Sequence, residues 1–298
     1  MLAIVIASSL WGTTGTAASF LPDAVSSLAI GAATMGVGGI LLFATAPRAS
    51  AAVLRTPGTR RWAIVGALGV VVYPLAFYSG MELAGIAIGN VVALGSGPVV
   101  TALLERILER HPLSLRWAVA TSLAVAGVVL LSSTRAPDAA AGESVLPGVV
   151  LGLLAGIAYG LYTYASARAI GAGASSRGAM GAMFGCGAAL LLPVLLLTGV
   201  PLLAEPSSIA IAGYLALGPM FAAYLLVGAA LRRLRSSTVT TVALLEPVVA
   251  TVLAVSVVGE RLEPLAWFGV VVILAGIAVL VTARPPGSRT RAPLESES

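Results

Sequence analysis

Lysine is absent from the 298 residues, histidine occurs once (His111) and cysteine once (Cys186). Each shortage removes a kind of chemistry. Without lysine there is no Schiff base and no phosphate-binding GxxxxGK[ST] loop, which excludes a retinal-type chromophore and a nucleotide site built on that loop. One cysteine cannot form an internal disulfide. One histidine cannot build a His-cluster metal centre, and no metal, cofactor or catalytic group is expected. Charge is scarce too: 10% of the residues are charged and 58% are hydrophobic, with a mean hydropathy of +1.02. A soluble domain is about 25% charged, so this chain cannot cover a globular surface. That excludes a soluble enzyme, a nucleic-acid-binding module and a disordered chain. An intramembrane enzyme would need a nucleophile–base pair or metal ligands at membrane depth, and His111 falls in a loop.

What is there is apolar sequence in runs long enough to cross a bilayer, at about 20 residues per helical span. The expected spans are Leu2–Phe20, Val25–Ala46, Trp62–Gly80, Ala84–Leu104, Leu115–Ser132, Leu146–Ala167, Ala179–Gly199, Ser208–Ala229, Thr238–Val258 and Leu265–Thr282. The first could be read as a signal peptide. However, Met1 leads straight into apolar sequence with no basic n-region, and the segment has a counterpart later in the chain, so it is read as a retained span. The fold class is therefore an all-α membrane protein of ten transmembrane helices. Residues 1–133 form a first five-helix unit, 134–145 a polar linker and 146–283 a second five-helix unit. Residues 284–298 form a Pro/Ser/Arg/Glu-rich tail expected to be disordered and cytoplasmic.

The net charge of +5 comes from arginine alone. If the N-terminus is cytoplasmic, all but Arg135 and Arg261 of the 17 basic residues fall in inward loops or the tail. Outer loops carry Asp23, Glu82, Asp138, Glu143, Glu205, Glu260 and Glu263 instead. This asymmetry predicts both termini inside and a bacterial inner-membrane location. It reads as a topology signal and headgroup contact rather than a nucleic-acid surface. The expected partners are the lipid bilayer and a small-molecule substrate, with the protein a monomer or a homodimer.

The halves resemble each other. Trp11-Gly12 matches Tyr159-Gly160, Pro98-Val99-Val100 matches Pro247-Val248-Val249, and Ala126-Gly127 matches Ala275-Gly276, at an offset of about 150 residues. Five spans per repeat is an odd number, so the second repeat enters from the opposite face and the two are inverted. Two similar bundles of this kind can exchange conformations and open a midplane site first to one side and then to the other.

On these residues the chain resembles the EamA-type branch of the drug/metabolite transporter superfamily. The likeness is carried by Trp11-Gly12, Leu245-Glu246-Pro247, Val258-Gly259-Glu260-Arg261-Leu262 and Ala275-Gly276-Ile277, in order and in a duplicated frame covering nearly the whole chain. The resemblance implies secondary transport of small metabolites, often amino acids. One departure stands out: a polar residue or Glu often precedes the first-half proline in such proteins, whereas here Gly97 precedes Pro98.

Several residues are candidates for function. Glu246 lies mid-span, where an ionised carboxylate costs about 2.5–3.5 kcal/mol on insertion scales. It is read as a proton carrier or as the counter-charge for a substrate amine, against a purely packing role. Pro98 and Pro247 remove helix hydrogen bonds and are candidate gating kinks or static bends. Trp11 with Thr14, and Tyr159 with Tyr162, share helical faces in symmetry-related spans. With Asn90 and Tyr224 they are expected to line a substrate cavity, with core packing as the alternative. Tyr73 with Phe77, and Phe221 with Tyr224, offer two further aromatic surfaces. The glycine series Gly152, Gly156 and Gly160 reads as a packing seam. Glu105, Arg106, Glu109 and Arg110 read as a solvated i,i+4 lattice. The function read from this set is an exporter of small metabolites such as amino acids, proton-coupled through Glu246. A lipid-linked or sugar-phosphate carrier of the same fold, or a channel, is the alternative.

Overall fold

Apolar runs become helices here because lipid leaves every backbone polar group to be satisfied within its own segment. The computed structural model describes residues 1–84, 86–133, 145–259 and 261–282. The linker and tail named above therefore lie almost wholly outside the described residues. The first repeat contains α1 (Leu2–Ala18), α2 (Ser27–Thr45), α3 (Pro47–Arg55), α4 (Pro57–Ala84), α5 (Ile86–Leu108) and α6 (Leu115–Ser133). The second contains α7 (Val145–Gly171), α8 (Ser176–Thr198), α9 (Pro206–Leu215), α10 (Ala223–Leu231), α11 (Ser236–Ala243), α12 (Glu246–Leu253) and α13 (Pro264–Val281).

Among the described residues, nine helical segments are long and apolar enough to cross a membrane, with α9–α10 and α11–α12 each counted as one. The tenth, α1, has 17 residues. At 1.5 Å per residue it rises about 26 Å, slightly less than a hydrocarbon core of roughly 30 Å. The expected spans are all present. Helix α3 was not expected. Pro47 opens it at the first helical position, and Arg48 and Arg55 ride on it while Ser50 and Val53 are buried.

Two spans are interrupted. A π-helical stretch at Ala216–Ala222 contains Pro219 and joins α9 to α10. The ninth span breaks at Leu244–Leu245, where both amide N–H groups turn back to carbonyls three residues earlier: Leu244 to Thr241 (3.2 Å) and Leu245 to Val242 (3.0 Å). The break lies where the Pro247 ring would meet the carbonyl of Ala243, the last residue of α11. A second π-helical stretch, Ala254–Val258, ends that span. Pro98, the symmetry mate of Pro247, leaves α5 uninterrupted. Of the two expected kinks, only the second-half proline separates two helices.

The packing is that of an inverted pair. Helix α2 packs on α8, α6 on α13, and α5 on α11, so these helices meet their own counterparts. The cross-contacts come in mirrored sets: α4 with α7 and α1 with α10, then α5 with α7 and α1 with α12. The mirror holds at atomic scale. A β-carbon on Gly12 would stand 2.5 Å from Val249 Cβ and 2.9 Å from the Glu246 carbonyl oxygen. One on Gly160 would stand 2.8 Å from Val100 Cβ and 3.2 Å from the Gly97 carbonyl oxygen. Each glycine lets a first-repeat or second-repeat helix lie directly against the segment carrying the other repeat's proline. Gly152 and Gly156 extend the α7 seam against Val92, Ala93 and Ser96 of α5, the packing role read from their spacing.

Candidate functional site

Among the described residues the helix contacts leave a partly open space of about 100 Å³ in the bundle. Trp11 and Thr14 of α1 and Gly31, Thr34 and Met35 of α2 supply one side of it. Tyr73, Pro74, Phe77 and Tyr78 of α4 face them, with Leu94 of α5 nearby. Tyr159 and Tyr162 come from α7, Pro219 and Met220 from the π-helical stretch, Tyr224 from α10 and Glu246 from the first turn of α12. Both repeats therefore build the wall, as expected of a site at an inverted-repeat interface.

The rings form a continuous cluster. Tyr73 stacks on Phe77 at 5.4 Å between centroids and lies 5.8 Å from Tyr159 and 5.9 Å from Tyr162. Trp11 meets Tyr224 at 5.3 Å. Tyr224 packs on Phe184 at 4.3 Å and shares a 2.6 Å hydrogen bond with the Tyr162 hydroxyl. These three lie toward the helix ends that carry Arg168, Arg177 and Arg232, the side on which α7 also meets α10 and α11. The remaining wall residues lie between mid-helix and the arginine-poor end.

Among the described residues Glu246 is the only acidic or basic one in the wall. It is half-buried, and among the described residues no protein hydrogen bond reaches its carboxyl group. The broken helix puts it there: Pro247 ends α11 early, and Glu246 restarts the backbone as the first residue of α12. The departure from the family pattern in the first half now has a steric reason. A β-carbon on Gly97 would stand 2.5 Å from Tyr159 Cδ1. Where the second repeat places its carboxylate, the first leaves room for an aromatic ring.

Six of the residues expected at a site are thus brought together: Trp11, Thr14, Tyr159, Tyr162, Tyr224 and Glu246. Asn90 is not. It lies near the start of α5, away from the cavity wall. Phe221 packs against the surrounding core instead. Pro98 and Pro247 flank the site without lining it. Sequence reasoning missed Tyr78, Gly31, Thr34 and Met35. Tyr78 follows Pro74 by one helical turn, a spacing that would have found it. The α2 residues carry no such signal.

Glu105 also differs from expectation. It is 4% exposed, not part of a solvated lattice. Its Oε1 accepts from the Ser236 hydroxyl (2.6 Å) and the Ser237 amide (3.0 Å), and its Oε2 accepts from the Ser237 hydroxyl (2.6 Å). Glu109, just past the end of α5, instead lies 3.4 Å from Arg168 of α7 and 3.4 Å from His111 in its own connecting segment.

Comparison with known proteins agrees with the architecture. Residues 1–133 and 146–282 match the EamA-like transporter family. The chain is 31% identical over 294 residues to the "Uncharacterized transporter YwfM" of Bacillus subtilis (strain 168), covering 97% of this chain and 95% of that one. A solved crystal structure superposes with a TM-score of 0.78 at 23% identity, over 93% of this chain and 94% of the other, a likeness of fold.

Proposed function

The chain belongs to the EamA-like transporter family, and from that premise we propose that it exports small amine-bearing metabolites, amino acids among them, in exchange for protons. The observation that carries this reading is Glu246: a single carboxylate, unpaired, in a cavity otherwise lined by aromatic and apolar groups. A half-buried acid at membrane depth with no protein partner is costly to keep, and a ligand that neutralises it offsets that cost. A proton and a substrate ammonium group both do so, and they compete for the same two oxygens. Alternating access turns that competition into exchange. In the inward-facing form the substrate amine displaces the proton, which leaves to the cytoplasm. In the outward-facing form a proton displaces the amine.

The aromatic wall supports the choice of cargo. Trp11, Tyr73 and Tyr159 present ring faces that attract an ammonium group and pack against an apolar side chain. Phosphorylated or lipid-linked cargo would want a cation in the wall, and no arginine lines it. The arginine asymmetry supports an inner-membrane location with both termini cytoplasmic. On that orientation the packing of α7 against α10 and α11, and of α5 against α11, at the arginine-rich end supports reading the present form as outward-facing.

Inverted membrane vesicles loaded at acid internal pH test the proposal. Radiolabelled amino acids and amphipathic amines should accumulate with the wild-type protein and not with Glu246→Gln at equal membrane abundance. Normal gradient-driven uptake by Glu246→Gln would remove the proton role.

A further inference from the structure

Glu105 has no part in the cavity, yet it is the most fully hydrogen-bonded carboxylate described in the bundle. It sits near the arginine-rich end of α5, and both its oxygens are taken by the first two residues of α11. Hydrogen bonds to an ionised acceptor are shorter and stronger than neutral ones, and the start of a helix favours a negative charge. Above it the same two helices are joined again by Thr101 and Thr240, hydroxyl to hydroxyl at 2.8 Å. Thr121 of α6 meets Thr241 at 3.0 Å. This polar seam lies between the cavity and the arginine-rich face.

The repeat shows what the seam does. Helices α5 and α11–α12 are symmetry mates, with Pro98 and Pro247 setting the register. In that register Glu105 corresponds to Ala254, Ser236 and Ser237 to Ala87 and Ile88, Thr101 to Ala250, and Thr240 to Val91. The mirrored position at the opposite face is thus apolar in sequence throughout. Interconversion between inward- and outward-facing forms exchanges the roles of the two repeats, so a clasp on one side only biases the exchange.

We infer that Glu105, clasped by Ser236 and Ser237, is the latch that keeps the arginine-rich side of the pathway shut, and that the lack of a matching latch at the other face makes this outward-facing form the resting state. The inference rests on the alternating-access reading above. Opening toward the arginine-rich face parts α5 from α11 and strands the carboxylate; opening toward the other face breaks no such clasp among the described residues. Glu105 is a positioning residue of the transport cycle and touches no cargo.

Two single-cysteine reporters in a Cys186→Ala background test it. Thr34→Cys sits in the cavity wall. Val239→Cys is buried at 1% exposure in the core cluster that also holds Ile4 and Ala7, and its side chain takes no part in the polar seam. Each is labelled with a membrane-impermeant maleimide from both faces, with and without a pH gradient. With Glu105 present, Thr34→Cys labels from the arginine-poor side and Val239→Cys is protected. Glu105→Ala should raise the Val239→Cys rate from the arginine-rich side at least about tenfold and slow Thr34→Cys, since a tenfold population shift needs only about 1.4 kcal/mol. Ser236→Ala with Ser237→Ala should do the same with the carboxylate left in place, which covers the case in which Glu105→Ala does not assemble. Ala254→Glu with Ala87→Ser and Ile88→Ser, which builds the latch at the other face, should shift labelling in the same direction. Reporter rates that respond to the gradient but are unchanged by these variants would overturn the latch alone. A Val239→Cys reporter that stays protected in every variant and gradient would overturn alternating access, and the latch with it.

Discussion

The contact between Gly12 and the broken ninth span can be tested by one methyl group. In Gly12→Ala the new β-carbon would lie 2.5 Å from Val249 Cβ, 2.8 Å from Val249 Cγ1 and 2.9 Å from the Glu246 carbonyl oxygen. Carbon atoms in contact prefer about 3.5–4.0 Å, so α1 and α12 must separate by roughly 1 Å there. Neither Val249 Cβ nor a backbone carbonyl can swing aside, and the strain falls on the helices. Overpacking of this kind costs about 1–3 kcal/mol, and the rigid neighbours put it near the upper end. Gly15→Ala, one turn along the same helix, is the control, because nothing lies within 4 Å of its added β-carbon. Both substitutions gain the same helix propensity, about 1 kcal/mol, so it cancels between them. Gly12→Ala should therefore be less stable than Gly15→Ala by about 2–3 kcal/mol, measured from unfolding midpoints in mixed micelles titrated with SDS. It should also transport more slowly at equal abundance, because the displaced carbonyl belongs to Glu246. Equal midpoints for the two variants would refute the close approach of α1 and with it the mirrored packing of the repeats.

Further outcomes follow from the same geometry. Tyr162→Phe and Tyr224→Phe each leave one buried hydroxyl without its partner and should each cost about 1–2 kcal/mol, while the double variant costs little more than either single one; additive losses in a double-mutant cycle would count against the shared bond. Gly97→Ala pushes on the Tyr159 ring, so substrate KM should rise several-fold with little loss of thermal stability, read from uptake titrations. Pro247→Ala restores a donor at the break and lets α11 run on into α12, so exchange should slow markedly, whereas Pro98→Ala in the unbroken α5 should change the rate less; comparing initial rates at equal abundance decides it.

Much of the architecture can be read from the chain because its causes are local or periodic. Apolar runs of span length must become helices in lipid, and the alternation of arginine-rich and arginine-poor loops counts them. The offset between Pro98 and Pro247 exposes the duplication, and five spans per repeat makes it inverted. Glu246 stands out for the same kind of reason: an acid far from any loop is expensive wherever its helix packs. Other features depend on partners far along the chain. Glu105 shares helical spacing with Arg106, Glu109 and Arg110, and that spacing describes only neighbours on its own helix. Ser236 and Ser237, the groups that bury it, are more than 130 residues away. Asn90 looked like a cavity residue because polarity within a span is conspicuous, yet it lies one turn nearer the start of α5 than Leu94, which is the α5 residue that reaches the wall. Two prolines in matching positions gave one helix break and one continuous helix, because what a freed carbonyl does depends on the helix beside it. Composition, period and symmetry determined the membrane fold, its expected orientation and the intramembrane acid. Only the tertiary structure decided which rings surround that acid and which hydroxyls bury Glu105, because those pairings are set by helix rotation and crossing, which no single helix encodes.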